Sequence, residues 1–146
     1  MNNILLPINE QIIVDIYNFF DNNIYLCGSG ADHYLLSKNY SELKDLDFIT
    51  TSDQISKINN QKFVKYNSKL GYVAYFGHWN YEYTMEIFVV DNILNDEIFL
   101  CDQLGVYITS IKYRLKIINQ ILNTETLDYR HTDFSNLKKQ YEDLEL

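Results

Sequence analysis

Three short stretches of the chain carry residue types whose spacing suits phosphate and metal chemistry. The first is Gly28-Ser29-Gly30, which follows the apolar run Ile24 to Cys27 and precedes a helical pattern. Glycines let a backbone approach a ligand closely, the free N–H groups at a helix start favour phosphate, and Ser29 adds a hydroxyl donor. Two familiar phosphate loops are excluded. A dinucleotide fingerprint needs glycine where His33 stands, and a P-loop needs Gly-Lys-Ser/Thr further on. Taken alone, Gly-Ser-Gly reads first as a plain tight turn, because so short a pattern recurs by chance.

The second stretch is Asp45-Leu46-Asp47. Two residues apart on a strand, both carboxylates project from one face while Leu46 and Phe48 go to the core. Carboxylates held this close repel, and one keeps its proton unless a cation sits between them. Mg²⁺ (or Mn²⁺) suits the pair, as a hard ion that takes one or two carboxylates plus substrate phosphates. Two solvated acids on an exposed strand face is the competing reading. The third stretch is Met85-Glu86-Ile87. Acids are disfavoured in strand interiors, so Glu86 lies on a solvated face or is recruited to a site. With its strand beside Asp45-Leu46-Asp47, three carboxylates meet opposite Gly28-Ser29. Two-metal phosphoryl or nucleotidyl transfer needs such a set, and Glu82 on the same strand face is the alternative third acid.

These residues need an α+β scaffold to position them. A helix follows Asn9 as cap, with Ile12, Ile13, Ile16, Phe19 and Phe20 on one face, and Asp21-Asn22-Asn23 stops it. Strands are expected at Ile24 to Cys27 and Asp45 to Thr50. A brief helix over Ala31 to Ser37 and a polar loop at Asn39 to Glu42 lie between them. Thr51-Ser52-Asp53 can cap a short helix bearing Ile55 and Ile58. Strands at Phe63 to Tyr66, Tyr72 to Phe76 and Tyr81 to Val90 follow, with turns at Asn67 to Gly71 and Gly77 to Asn80. After a loop and a short run at Val106 to Ile108, Thr109 caps a helix with Ile111, Leu115, Ile118 and Leu122. Thr132-Asp133 opens a last helix striped by Leu137, Tyr141 and Leu144. The sum is a small mixed, largely antiparallel sheet with helices on one side, plus C-terminal helices. It reads as one domain over 1–146, with a core of about 9–92 and a helical part of about 106–146.

Composition narrows the partners. The chain has 146 residues, with 20 acidic against 12 basic side chains and a formal net charge of −8. General DNA binding is not expected, because nonspecific affinity comes from Lys and Arg on phosphates. Any nucleic-acid contact would be local or made through bound cations. No apolar run is long enough for a membrane span. MNNILLPINEQ lacks a basic n-region and a small-residue cleavage site, which predicts a cytoplasmic protein. Cys27 and Cys101 read as small core residues in a reducing compartment, with a disulfide as the alternative. His33 and His131 read as capping or surface residues. His78-Trp79 falls in the expected hairpin turn, with the Trp packed onto the sheet or exposed to stack on a base.

The order apolar-Gly-Ser, then Asp-apolar-Asp, then apolar-Glu-apolar resembles the nucleotidyltransferase superfamily that includes DNA polymerase β and the CCA-adding enzymes. Cys27 to Thr50 is similar to the head-domain motif of the CCA-adding group, and the likeness covers about residues 24–90. It implies that Gly28 and Ser29 hold the triphosphate, that Asp45 and Asp47 bind both metals, and that Glu86 binds the metal on the nucleophile side. It also implies that Lys116 reaches the triphosphate, though Lys112 and Arg114 nearby fit a solvated basic face equally. Arg130-His131-Thr132-Asp133 resembles the family's basic-x-x-acid segment with imperfect spacing. The interval from Ser29 to Asp45 is longer than usual, with the excess in Ser37 to Lys44. Asp32-His33 stands where CCA-type enzymes often carry Arg-Asp, which argues against tRNA as substrate.

The activity implied is metal-dependent transfer of an NMP from an NTP to a hydroxyl on a small molecule, a protein or an RNA end. The alternative is a catalytically inactive nucleotidyltransferase-like module that binds or regulates a partner. A third reading takes the acids as surface residues of an unrelated α+β interaction module, and places Glu86 on the face opposite Asp47.

Overall fold

The computed structural model describes residues 10–37, 45–79, 83–124 and 131–144. The expected cap Asn9, the loop Asn39 to Glu42, Tyr81, the alternative acid Glu82 and Arg130 lie outside the described residues. Among those described, helix α1 (Glu10–Phe19) leads into strand β1 (Ile24–Cys27), helix α2 (Gly28–Leu35) and strand β2 (Asp45–Thr51). A single 3-10 turn at Ser52–Gln54 runs into α3 (Ile55–Asn59). Strands β3 (Val64–Asn67), β4 (Val73–Trp79) and β5 (Tyr83–Val90) form the middle of the chain. Strands β6 (Ile98–Cys101) and β7 (Val106–Thr109) and helices α4 (Ile111–Leu122) and α5 (His131–Leu144) complete it.

All seven strands join one sheet in the order β3-β4-β5-β2-β1-β7-β6. Pairings β1–β2, β3–β4, β4–β5 and β6–β7 are antiparallel, while β2–β5 and β1–β7 are parallel. The expected mixed, largely antiparallel α+β architecture is present. Strand parity divides the two faces. Leu26, Leu46, Phe48, Met85 and Ile87 meet Ile13, Ile16 and Phe20 of the α1 region and Ile58 of α3 in the main core. Burying side chains of this size stabilises the fold by about 1.5–3 kcal/mol each relative to exposure. The opposite face carries Cys27 and Ile49, which α4 covers with Tyr113 and, less deeply, Ile117. Core helices thus share one face, and the C-terminal helices take the other. Among the described residues no helix is long and apolar enough to cross a membrane.

Several local expectations need correction. The edge strand β6 was not anticipated. All four of its residues are apolar, so no alternation marks it, and Phe99 and Leu100 are exposed. Gly77 and His78 do not turn the chain but pair with Met85 and Thr84 inside the β4–β5 ladder. Gly77 is there because the Phe63 ring fills the space of its missing side chain, with Cδ1 only 1.9 Å from where a Cβ would stand. Trp79 is a strand residue that pairs with Tyr83, and its ring packs edge-on against Phe19 of α1 at 5.5 Å rather than folding from a turn onto the sheet. Thr51 makes no side-chain cap to the turn after it. Thr109 ends β7, its hydroxyl donating to the Leu26 carbonyl at 3.1 Å, and Ser110 caps α4 by accepting from the Tyr113 N–H at 3.2 Å.

Candidate active site

The chain passes from β1 into α2 without a loop, and Gly28 makes this possible. Its φ of +62° is one that side-chain-bearing residues rarely adopt. A Cβ at Gly28 would stand 2.7 Å from Asp47 Oδ2. The contact follows from the ladder: Cys27 pairs with Asp47, so the next residue turns directly over the carboxylate. The helix then starts at Gly28 rather than at Ala31, with Ser29 in its first turn and no side-chain cap from Cys27. The N–H groups of that turn therefore receive no side-chain cap from Cys27.

Parallel pairing of β2 with β5 sets the acids. Asp47 stands opposite Glu86, and Asp45 opposite Thr84. Residues in register on neighbouring strands share a face, so Asp45, Asp47 and Glu86 all project to the α4 side of the sheet. The reading that separates Glu86 from Asp47 onto opposite faces is excluded. Asp45 is exposed and accepts a hydrogen bond from the Thr84 hydroxyl. Burial, and then the charge of Asp45, raise the Glu86 carboxyl above its ordinary value. Burial and the neighbouring Asp47 push the Cys27 thiol far up as well, which keeps it protonated and unreactive.

Beside them lies a cavity of about 480 Å³ that also touches β3, the β3–β4 turn, α4 and α5. Gly28, Ser29, Asp47 and Glu86 are on its wall, whereas Asp45 and Lys116 are not. Lys116 instead pairs with the buried carboxylate of Glu97 at 3.2 Å, with its ammonium over the Tyr113 ring. Among the described residues no three His, Cys, Asp or Glu side chains close into a metal cage. Carboxylate oxygens such as those of Asp45, Asp47 and Glu86 are of the donor type that a hard cation of the Mg²⁺ kind takes, together with water and phosphate oxygens.

Sequence reasoning missed the polar group behind the cavity. Arg114 of α4 is buried and binds Asp32 of α2 through two parallel bonds, Nε to Oδ1 and Nη2 to Oδ2, both 2.8 Å. Tyr141 of α5, also buried, donates its hydroxyl to Asp32. Burial alone would lower the Arg114 pKa, but the Asp32 bonds and charge overcome it and hold the guanidinium above its ordinary value. One carboxylate therefore ties α2 to both C-terminal helices. The available signal was Arg114 itself, a charge set among Ile111, Leu115 and Ile118 in an otherwise apolar stripe. His33 takes no capping role; it lies inside α2 with its ring edge-on to Tyr34. His131 is the first residue of α5.

No protein-family model and no curated protein sequence matches the chain. Solved structures do. The chain is similar to ANT(2'')-Ia crystallised with adenylyl-2''-tobramycin, at 8% identity and a TM-score of 0.61, over 94% of this chain and 89% of that one. It is similar to the lincosamide antibiotic adenylyltransferase LnuA, lincomycin-bound, at 13% identity and a TM-score of 0.56, over 94% and 98% of the two chains. An antigenic nucleotidyltransferase-like protein from Paracoccidioides brasiliensis matches at 12% identity and a TM-score of 0.57, over 92% of this chain and 75% of its own. The likeness at these identities is one of fold.

Proposed function

On this nucleotidyltransferase fold, we propose that the chain moves an NMP from an NTP to an acceptor hydroxyl in a reaction that depends on Mg²⁺ or Mn²⁺. One observation carries the reading. Asp47 and Glu86 stand in register on parallel strands, on one face, with Gly28 closed down over the Asp47 carboxylate. Names of two neighbours, one bound to an adenylylated aminoglycoside product and one a lincosamide adenylyltransferase, favour a small molecule over a protein or an RNA end as acceptor. A cavity of about 480 Å³ and the acidic balance agree with that choice.

The roles follow from chemistry at each position. Ser29 and the N–H groups of the α2 start hold the triphosphate against Asp47. Asp45, Asp47 and Glu86 would hold the divalent cation, which when bound neutralises phosphate charge and favours attack at phosphorus. Glu86, whose carboxyl binds its proton more tightly than an ordinary one, takes the proton of the acceptor hydroxyl. The hydroxyl oxygen bonds to the α-phosphorus, the bond from that phosphorus to the β-phosphate bridging oxygen breaks, and pyrophosphate leaves. Lys116 would have to release Glu97 to reach a phosphate, and it is assigned no part in this scheme.

The test is transfer of label from α-phosphate-labelled NTPs, with Mg²⁺ or Mn²⁺, into a cell lysate. Wild type is run beside Asp45→Asn/Asp47→Asn. Label with wild type alone supports the enzyme, and the size of the labelled species reports the acceptor class. No label and no NTP-dependent thermal shift would overturn it in favour of an inactive binding or regulatory module.

A further inference from the structure

The cavity continues beyond the carboxylates, and its chemistry changes there. One pleat along the same face from Asp47 and Glu86 lie Ile49 and Phe88, again in register with each other. Ile117 and Ile121, one turn apart on α4, stand on the cavity wall with them. Tyr66 of β3 and Tyr72 before β4 also line this part. Tyr72 donates its hydroxyl to Gln120 Oε1 at 3.1 Å, which ties the β3–β4 turn to α4. Resting on the nucleotidyl-transfer reading, we infer that this compartment binds the acceptor, and that the acceptor is a hydroxyl-bearing small molecule with an uncharged, apolar body.

Two arguments support the assignment. The first is direction. In the sheet order, β1 with α2 lies on one side of the β2–β5 acids, and β4 and β3 lie on the other. Attacking and leaving oxygens stand roughly in line across the transferred phosphorus. Pyrophosphate at the α2 start therefore puts the attacking hydroxyl on the β5–β3 side, where the compartment is. The second is charge. Among the described residues, the only carboxylates on the cavity wall are Asp47 and Glu86, and the cations there are Lys69 at the exposed β3–β4 turn and Arg114 on Asp32. A polyamine entering past Lys69 would find no carboxylate outside the reacting pair. An apolar ring or chain meets Ile49, Phe88, Ile117 and Ile121, and loses nothing by leaving water.

The experiment uses the whole chain with isotope-labelled isoleucine methyl groups, titrated with naphthylethanol as an apolar hydroxyl probe and with spermidine as a polyamine. Naphthylethanol should shift the methyls of Ile49, Ile117 and Ile121 and leave Ile13, Ile16 and Ile58, in the core of the other face, unmoved. The shifts should persist with Mg²⁺ and an α,β-methylene NTP analogue present, and spermidine should produce none. Ile117→Lys should weaken the probe by about tenfold or more. The milder Ile121→Gln should act in the same direction, with NTP-analogue stabilisation of both variants showing that they fold. Displacement of the probe by the analogue would give the compartment to the nucleobase and overturn the inference, as would shifts with spermidine or none with naphthylethanol. Methyl shifts without NMP transfer to any acceptor would sink the enzyme reading and keep the compartment's ligand class. NMP transfer to RNA would do the reverse.

Discussion

Gly28 and Asp47 occupy one another's space: the carboxylate Oδ2 stands 2.7 Å from the point a Gly28 Cβ would fill. The β1–α2 corner and the acid on β2 are thus a single packed unit. Gly105, in the β6–β7 turn, also has a positive φ, +72°, but nothing lies within 4 Å of its would-be Cβ. The two glycines separate backbone strain from site geometry.

Gly28→Ala and Gly105→Ala should each lose about 1–3 kcal/mol from the left-handed backbone alone. Thermal unfolding should show Tm falling by about 2–4 °C per kcal/mol in both. Only Gly28→Ala also displaces Asp47, and its NMP transfer should drop by about 100-fold, the scale of a misplaced reacting group. Gly105→Ala should transfer normally. Equal activity in the two variants would detach Asp47 from the chemistry.

Glu86 should show opposite effects on stability and activity. Its folded-state carboxyl is raised, so the folded chain holds that proton more tightly than the unfolded chain does. That contribution is present at low pH and is lost as pH rises from the ordinary carboxylate range through the raised value. Glu86→Gln removes the loss. The variant should match wild type in acid and melt at a higher temperature than wild type at neutral pH, without added divalent ion. Its NMP transfer should fall by about 10²–10⁴-fold, as for a removed general base. Melting curves across pH, beside the labelling assay, check both signs; a Gln variant less stable at neutral pH would contradict the burial argument.

Lys116 is paired with buried Glu97, which also accepts from the Leu94 N–H at 2.9 Å. The lysine side chain is half-exposed but the Glu97 carboxylate is buried, so losing the ammonium should cost more than the about 1 kcal/mol of a surface pair. Lys116→Met should leave the KM for NTP within about twofold of wild type. Steady-state kinetics decide the point. A KM raised by about tenfold would put the ammonium on the triphosphate, as the family resemblance implies.

What could be read in advance follows from the range of each interaction. The spacing of Asp45 and Asp47 places them on one face of any strand, so their partnership needs no tertiary knowledge. Glu86 required its strand to lie beside β2, a parallel pairing across 39 residues from Asp47 that only strand parity and resemblance suggested. The register then followed, because Leu46 with Met85 and Phe48 with Ile87 must share the buried face. Gly77 was misread because a glycine that makes room for an aromatic ring has the same local signature as one that turns the chain. Arg114 stood out from the apolar stripe, but its partner, 82 residues away on another helix, leaves no mark on the sequence around it.

That partner makes Asp32 the group on which the C-terminal helices depend. Asp32→Asn would strand a buried guanidinium, and breaking such a pair costs about 3–5 kcal/mol. Its Tm should fall by roughly 6–20 °C. Tyr141→Phe deletes one hydrogen bond to a charged group and should cost about 1.5–3 kcal/mol while keeping the ring in place. Because both act on the same carboxylate, the double variant should be less destabilised than the two single losses added together, by about 0.5–3 kcal/mol. A thermal double-mutant cycle measures this coupling, and additive losses would mean that Tyr141 and Asp32 act apart. With the triad intact, α5 is held against α2, whose start is the proposed triphosphate site. Tyr141→Phe should therefore also weaken NTP-dependent stabilisation, whereas Leu144→Ala, at an exposed position on the same helix, should not.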